Sequence, residues 1–218
     1  KMRILTTIIL ISFALQLTAQ KTEIVYREKK DSTANYYLAL LPDSTSKGLL
    51  LIIGGFCASP AQVMTETILP VTACKAGYTV IIPALYNCDS ISSNAIAQKK
   101  LIEIIPEVIK KYNIPENKFI IGGQSMGGHQ ALFFAEQAYK LDNKEIIKPD
   151  LVFGVDPPLN MKRLWNSFTH SVQLNFSDAA VAEAKEQLRR FKILYGGSPL
   201  QNPKKYEAVS SYYAGAKN

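Results

Sequence analysis

The segment over residues 119 to 139 constrains the fold of this chain more than any other. A short apolar run, Phe119-Ile120-Ile121, leads into Gly122-Gly123-Gln124-Ser125-Met126-Gly127-Gly128, and a helical pattern of apolar residues follows. The pattern Gly-x-Ser-x-Gly between a strand and a helix predicts a nucleophile elbow, a tight turn that lifts the serine hydroxyl clear of the sheet. Glycines at both flanking positions remove side chains that would collide with neighbouring backbone. A Gly/Ser-rich turn without a catalytic role is the alternative interpretation.

Ser125 is therefore the candidate catalytic residue. At the start of a helix, free N–H groups and the helix dipole favour a negative charge that develops beside the serine. We assign one oxyanion donor to the backbone N–H of Met126, which directly follows the serine. We assign the second donor to the N–H of Phe56, because an apolar run over residues 49–53 ends in Gly54-Gly55 just before it. An ordinary strand-to-helix turn would also explain the paired glycines.

Short apolar runs alternate with helical patterns along the chain. Residues 59 to about 75 are predicted as one helix, and residues 94–112 as another in which Pro106 predicts a kink or a break. The ranges 86–93 and 159–177 are interpreted as loops at the active-site edge, and residues 165–170 within the second are expected to be a cap or a helix. Ser177 or Asp178 is expected to cap a further helix, and residues 203–218 are interpreted as a helix with a frayed tail. The alternation predicts an α/β fold with a mostly parallel sheet and right-handed crossovers. The predicted strands cover residues 23–27 and 35–41 as a hairpin, then 49–53, 79–82, 119–121 and 150–155.

Three segments carry a resemblance to the α/β-hydrolase superfamily. They are Ile52-Ile53-Gly54-Gly55-Phe56, the elbow ending in His129, and Asp156-Pro157-Pro158 at a predicted strand end. Gln-Ser-Met-Gly-Gly-His is similar to what bacterial esterases and esterase-like hydrolases carry at the elbow. The resemblance implies a three-layer α/β-hydrolase fold with helices on both faces of the sheet. It also implies hydrolysis of an ester, thioester or amide through an acyl-enzyme on Ser125, with no metal or cofactor.

The resemblance further implies an acid and then a histidine after the serine. The chain has two histidines. His129 lies one turn below the serine hydroxyl in the predicted helix, so we interpret it as a packing residue rather than the base. Asp156 and His170 complete the order serine, acid, histidine and are candidate triad members. The alternatives are a rigid strand exit at Asp156 and a structural or surface role for His170.

The sequence does not supply the strands that usually carry the acid and the base in this family. If residues 191–195 form a seventh strand, no carboxylate follows before Glu207, and if they end a helix, two strands are missing. Lys1 before Met2 also suggests a reading frame cut from a longer sequence. The leading hypothesis is an exported serine hydrolase, an esterase or acyl hydrolase with a peptidase as the neighbouring interpretation, in which Ser125 is the nucleophile. Its α/β-hydrolase domain covers residues 20–218 and is interpreted as C-terminally incomplete, so weak or no activity is predicted for the 218-residue chain itself. A non-catalytic pseudo-hydrolase or fragment is the alternative.

Residues 1–19 are interpreted as a secretory signal peptide. Lys1 and Arg3 precede an apolar stretch, and Leu17-Thr18-Ala19 forms a small-residue site for cleavage after Ala19 or Gln20. An uncleaved membrane anchor is the alternative, although the stretch is short for a membrane span. Cleavage predicts an exported bacterial protein, periplasmic or extracellular, without stable membrane insertion.

Composition fits one globular domain, since 47% of the 218 residues are apolar and 20% are charged. Signal removal lowers the net charge from +7 to +5, because 25 basic residues become 23 against 18 acidic ones. Scattered lysine pairs without interleaved aromatic residues argue against a nucleic-acid partner. The expected partner is a small-molecule acyl substrate or a peptide, and the oligomeric state stays open.

The chain has three cysteines, Cys57, Cys74 and Cys88. Their number leaves the disulfide pairing open, and their spacing is not that of a metal site.

Overall fold

The computed structural model describes residues 21–28, 35–85, 95–140 and 146–212. The predicted signal peptide, Cys88 and the loop predicted over residues 86–93 lie outside the described residues. The described strands form a single six-stranded sheet. They are β1 (Lys21–Tyr26), β2 (Tyr36–Leu41), β3 (Leu49–Ile53), β4 (Thr79–Pro83), β5 (Phe119–Gln124) and β6 (Leu151–Val155).

The strand order across the sheet is β1-β2-β4-β3-β5-β6. The predicted hairpin of β1 and β2 is antiparallel, and β2 also pairs antiparallel with β4. All the remaining pairs are parallel, so the prediction of a mostly parallel sheet is confirmed. Every residue of β3 and β4 is buried, because helices cover both faces of the parallel part of the sheet.

Seven described helices accompany the sheet. Alternate residues of β3 point to opposite faces, so Leu49 and Leu51 pack with the helices on one side, and Leu50 and Ile52 with those on the other. The result is the expected three-layer arrangement. The helices are α1 (Pro60–Glu66), α2 (Leu69–Lys75), α3 (Ala95–Lys111), α4 (Met126–Lys140), α5 (Met161–Leu174), α6 (Asp178–Tyr195) and α7 (Pro203–Glu207).

One prediction about prolines in helices needs correction, and of the kink or break predicted at Pro106 the break does not occur. The single helix predicted from residue 59 to about 75 is two helices, separated at Thr67, which has extended backbone angles. In a continuous helix, Pro70 would lack its N–H and clash with the carbonyl of Glu66, where α1 ends. Pro106 does not break α3, which runs continuously around it. Pro106 is exposed, so the carbonyl that loses its helical partner lies on the solvent side.

The chain after β6 forms a helical unit, made of α5, α6 and α7, that the sequence analysis did not predict as such. Residues 159–177 were expected to be a loop with a cap or helix only over residues 165–170, but a longer helix, α5, covers most of the range. The side chain of Asn160 caps its start by accepting the Arg163 N–H at 3.0 Å. Residues 191–195 are the end of α6, not a strand. The unit has its own small apolar cluster, built on Met161, Phe191, Tyr195 and Tyr206.

The predicted cap of α6 is confirmed, since the Ser177 side chain accepts a hydrogen bond from the Ala180 N–H. Among the described residues, no helix combines the length and apolar character that crossing a bilayer requires.

Candidate active site

Ser125 occupies the turn between β5 and α4, as the elbow motif predicts. Its φ is +51°, in the left-handed region, a conformation that costs free energy for a residue with a side chain. Two backbone hydrogen bonds hold it: the Ser125 N–H donates to the Val155 carbonyl at 2.8 Å, and the Ser125 carbonyl accepts the His129 N–H at 3.1 Å. The serine is half-buried, so this strained turn lies at the carboxyl edge of the sheet with its side chain accessible.

The glycines around Ser125 are required by close backbone contacts. A Cβ at Gly123 would lie 2.7 Å from the carbonyl carbon of Gly127, and a Cβ at Gly127 would lie 2.7 Å from that of Ile53. Gly128 allows α4 to pack on the sheet, because its Cβ would lie 3.0 Å from the Cα of Gly154. The predicted reason for these three glycines is confirmed: at each position a methyl group would force backbone apart.

The two predicted oxyanion donors lie beside the serine. Phe56 belongs to the turn that follows β3, and Met126 is the first residue of α4. Gly55 brings the first turn close, since a Cβ built on it would be 3.8 Å from the Cβ of Ser125. Phe56, Ser125 and Met126 line one cavity of about 470 Å³. The serine hydroxyl therefore shares a cavity with residues from the two segments that were predicted to donate N–H groups.

The opposite wall of this cavity comes from the helical unit. On each helix, the residues of this wall lie three or four positions after the first of them and so share one face. The sequence analysis did not identify them as site candidates, because a sequence pattern cannot show that these helices fold over the sheet edge. The wall residues are Leu164, Ser167 and Phe168 of α5 with Glu183 and Gln187 of α6. The wall is therefore mostly apolar on α5, where Ser167 is its polar member, and polar on α6.

Asp156 lines the same cavity as Ser125. It directly follows β6, is exposed, and has a φ of +50°. Asp156 also lines a second cavity of about 680 Å³, which includes Arg163 and Tyr212. The structure therefore brings this candidate acid to the cavity of the candidate nucleophile.

Comparison with solved structures identifies the fold. Esterase B of Lactobacillus rhamnosis is 14% identical, with a TM-score of 0.56 over 79% of this chain and 57% of that one. An S-formylglutathione hydrolase of Staphylococcus aureus is 17% identical, with a TM-score of 0.52 over 87% and 74%. A fluorophosphonate-binding serine hydrolase of the same bacterium is 17% identical, with a TM-score of 0.50 over 68% and 60%.

These neighbours share the mixed sheet and its covering helices. The chain has an α/β-hydrolase fold. No protein-family model matches the sequence, and neither does any curated protein sequence. The chain spans 57% of the length of esterase B.

The two histidines of this α/β-hydrolase fold are both described, and neither lines the Ser125 cavity. His170 lies on the solvent-exposed side of α5, so the structure does not bring it to the serine. His129 is completely buried in α4, with its Nδ1 3.2 Å from the Ser211 hydroxyl. Burial lowers the pKa of His129 to about 4, against the opposing effect of a hydrogen bond with the backbone of Val209.

The side chains around the fold's active edge give no site for a metal. Among the described residues, no three His, Cys, Asp or Glu side chains are grouped so that they could hold an ion. Cys57 in the Phe56 turn and Cys74 in α2 form no disulfide with each other, while Cys88 lies outside the described ranges.

Proposed function

We propose that this chain is an exported serine hydrolase that acts on ester bonds. The observation that carries the proposal is the position of Ser125. It sits in a left-handed turn between a central strand and a helix, and its cavity is shared with Phe56 and Met126. A half-buried hydroxyl between two turns rich in N–H groups has the geometry required for acyl transfer.

The proposed reaction proceeds through an acyl-enzyme. The Ser125 oxygen attacks the substrate carbonyl, and its proton passes to water, because neither histidine lines the cavity. The negative oxygen of the tetrahedral intermediate accepts hydrogen bonds from the N–H groups of Phe56 and Met126. The C–O bond to the leaving alcohol then breaks as the alcohol takes up a proton. In the second half of the reaction water attacks the acyl-serine, the bond between the serine oxygen and the acyl carbon breaks, the carboxylic acid leaves, and the serine oxygen takes up a proton. A thioester or an amide would follow the same path.

The location of the histidines favours a second candidate function. A serine hydroxyl near its ordinary pKa is a poor nucleophile without a base, and neither histidine of the chain lines the cavity. The chain would then be a non-catalytic α/β-hydrolase-fold protein that binds a ligand in the Ser125 cavity. For this reason we expect slow chemistry from the 218-residue chain, because loss of the base costs several orders of magnitude in rate.

Labelling with a fluorophosphonate separates these two functions. Such a probe reacts with an activated serine, and one of the structural neighbours is described as binding it. We expect time-dependent labelling of the chain that is absent in Ser125→Ala, together with slow turnover of p-nitrophenyl acetate. No labelling above the Ser125→Ala background and no turnover would support the non-catalytic function. A matching panel of p-nitroanilide substrates distinguishes an esterase from a peptidase.

Export is a separate part of the proposal, supported by the charged and apolar pattern of residues 1–19. Expression in a bacterial host followed by fractionation tests it directly. We expect the chain outside the cytoplasm, with a new N-terminus at Gln20 or Lys21. A full-length chain retained in the membrane fraction would show an uncleaved anchor instead.

A further inference from the structure

The turn that carries Phe56 is held by the helical unit as well as by the sheet. The Phe56 ring packs against the apolar cluster that α5, α6 and α7 build on Phe191, Tyr195 and Tyr206. The neighbouring residue Cys57 has a φ of +60°, so the turn itself is strained and needs support from outside. The helical unit is in position to provide this support.

Arg190 of α6 makes the most specific of these contacts. Its guanidinium carbon lies 5.2 Å from the centroid of the Phe56 ring, within the range of a cation–π interaction. The Arg190 side chain is 21% exposed, and its Nε donates to the Glu186 Oε1 at 2.8 Å. Partial burial strengthens the attraction to the ring, and the ion pair fixes the guanidinium in place.

Glu186 provides a fixed negative anchor for this arrangement. Hydrogen bonds lower the pKa of Glu186 to about 2, and the bond from Arg189 contributes more than the bond from Arg190. The carboxylate is therefore charged at every pH at which the protein would be assayed. Arg189 binds the same carboxylate through its Nε at 2.8 Å. The Arg189 side chain is 59% exposed, and among the described cation–π contacts only Arg190 faces Phe56. Arg189 is therefore a matched control for Arg190.

The face of α6 that carries Arg190 also faces the active site. Glu183 and Gln187 lie four residues apart and line the Ser125 cavity, and Arg190 follows three residues later on the same side of the helix. One helical face thus contacts both the space that a substrate would fill and the turn that would donate to its oxyanion.

We propose that Arg190 is a positioning residue, which holds the Phe56 turn so that its N–H faces the Ser125 cavity. The effect of Arg190 on catalysis rests on the proposed function. The contact between Arg190 and the Phe56 turn does not depend on that function. Removing the guanidinium takes away the cation–π contact between α6 and the strained turn. The turn should then move, exposing Cys57 and withdrawing one oxyanion donor.

The test compares Arg190→Gln and Arg190→Lys with the control Arg189→Gln. The first readout is the rate at which iodoacetamide alkylates Cys57, measured by mass spectrometry of its peptide. The second readout is fluorophosphonate labelling of Ser125, with the maximal rate and the half-saturating probe concentration determined separately. Urea midpoints for all variants show whether a change is local to the turn.

In Arg190→Gln we expect Cys57 alkylation to rise, and the maximal labelling rate to fall, by about three- to thirtyfold, the range expected for loss of a partly buried cation–π contact. The half-saturating concentration should change little. Arg190→Lys should recover part of both effects, because an ammonium also interacts with an aromatic face. Arg189→Gln should match the parent chain in both readouts.

Two outcomes separate this inference from the proposed function. If Ser125 is labelled but the two glutamine variants behave alike at Cys57 and at Ser125, the positioning role is wrong and the hydrolase proposal stands. If no variant is labelled but Arg190→Gln alone exposes Cys57, the hydrolase proposal fails, while the contact between Arg190 and the turn is supported.

Discussion

Ser125 and Asp156 are the first residues beyond two adjacent parallel strands, and the backbone N–H of Ser125 is hydrogen-bonded to Val155, the residue before Asp156. Gln124 pairs with Val155 at the ends of β5 and β6, and the Ser125 N–H continues the ladder by donating to the Val155 carbonyl at 2.8 Å. Both residues then leave the sheet in the left-handed region, with φ values of +51° and +50°. Two matched turns thus deliver a hydroxyl and a carboxylate to one cavity.

This relationship leads to a prediction for Asp156→Asn. No histidine lines the cavity, so we expect the carboxylate to act mainly through its negative charge, which disfavours the oxyanion that develops nearby. The variant should fold normally, because asparagine tolerates a left-handed backbone. Fluorophosphonate labelling should become about two- to fivefold faster by this electrostatic effect. A loss of a hundredfold or more would instead identify Asp156 as the triad acid.

Gly127→Ala should destabilise the fold, whereas Gly55→Ala should not. The alanine methyl at residue 127 would lie 2.7 Å from the carbonyl carbon of Ile53, but at residue 55 the nearest atoms are 3.7 and 3.8 Å away, which is ordinary contact. We expect a loss of about 2 to 3 kcal/mol in the free energy of unfolding for the first variant, the upper part of the range for overpacking. The loss for the second should be below about 1 kcal/mol. Urea denaturation measures both, and equal losses would contradict the close approach of α4 to β3.

Burial of His129 predicts a loss of stability in mild acid. The pKa of His129 is about 4 in the folded protein, lowered from 6.5, so between these values the unfolded chain binds a proton that the folded chain does not. The free energy of unfolding therefore rises with pH across this window and falls as the pH drops from about 6.5 to 4, by about 3 kcal/mol in total. Urea titrations at intervals of pH provide the measurement.

The control for this effect is a substitution at each histidine. His129→Gln should remove most of the slope, while His170→Gln, on the exposed side of α5, should keep it. A parent chain whose stability is flat across the window would show that the imidazole of His129 is solvated in solution.

Several elements could be predicted closely because their signals are local. Five consecutive apolar residues in β3 require cover on both sides, and the structure has this strand at the predicted bounds, Leu49–Ile53. The elbow was predicted for a similar reason, since glycines spaced around a serine are needed only where backbone approaches backbone. Both predictions depend on residues close together in the chain.

Other elements could not be predicted because the same local signal, a proline or a run of polar residues, has different outcomes depending on tertiary packing. Pro70 divides a helix, yet Pro106 leaves α3 intact, and the difference is the solvent-facing position of the second proline. The range 159–177 contains polar residues typical of a loop, but Met161 and its neighbours form α5 because they bury against α6 and α7. A helical period shows which face is apolar and does not show which surface will cover it.

The sequence alone was sufficient for the class of fold and for the place of the serine, because periodicity and the steric demands of glycine act over a few residues. Only the tertiary structure could show that Asp156 comes to the serine while His170 and His129 do not. It was equally necessary for the contact of Arg190 with Phe56. These relationships depend on the order in which strands pair and on how helices cross the sheet edge. Both arise from burial of side chains that are distant in the chain, so no short stretch of sequence encodes them.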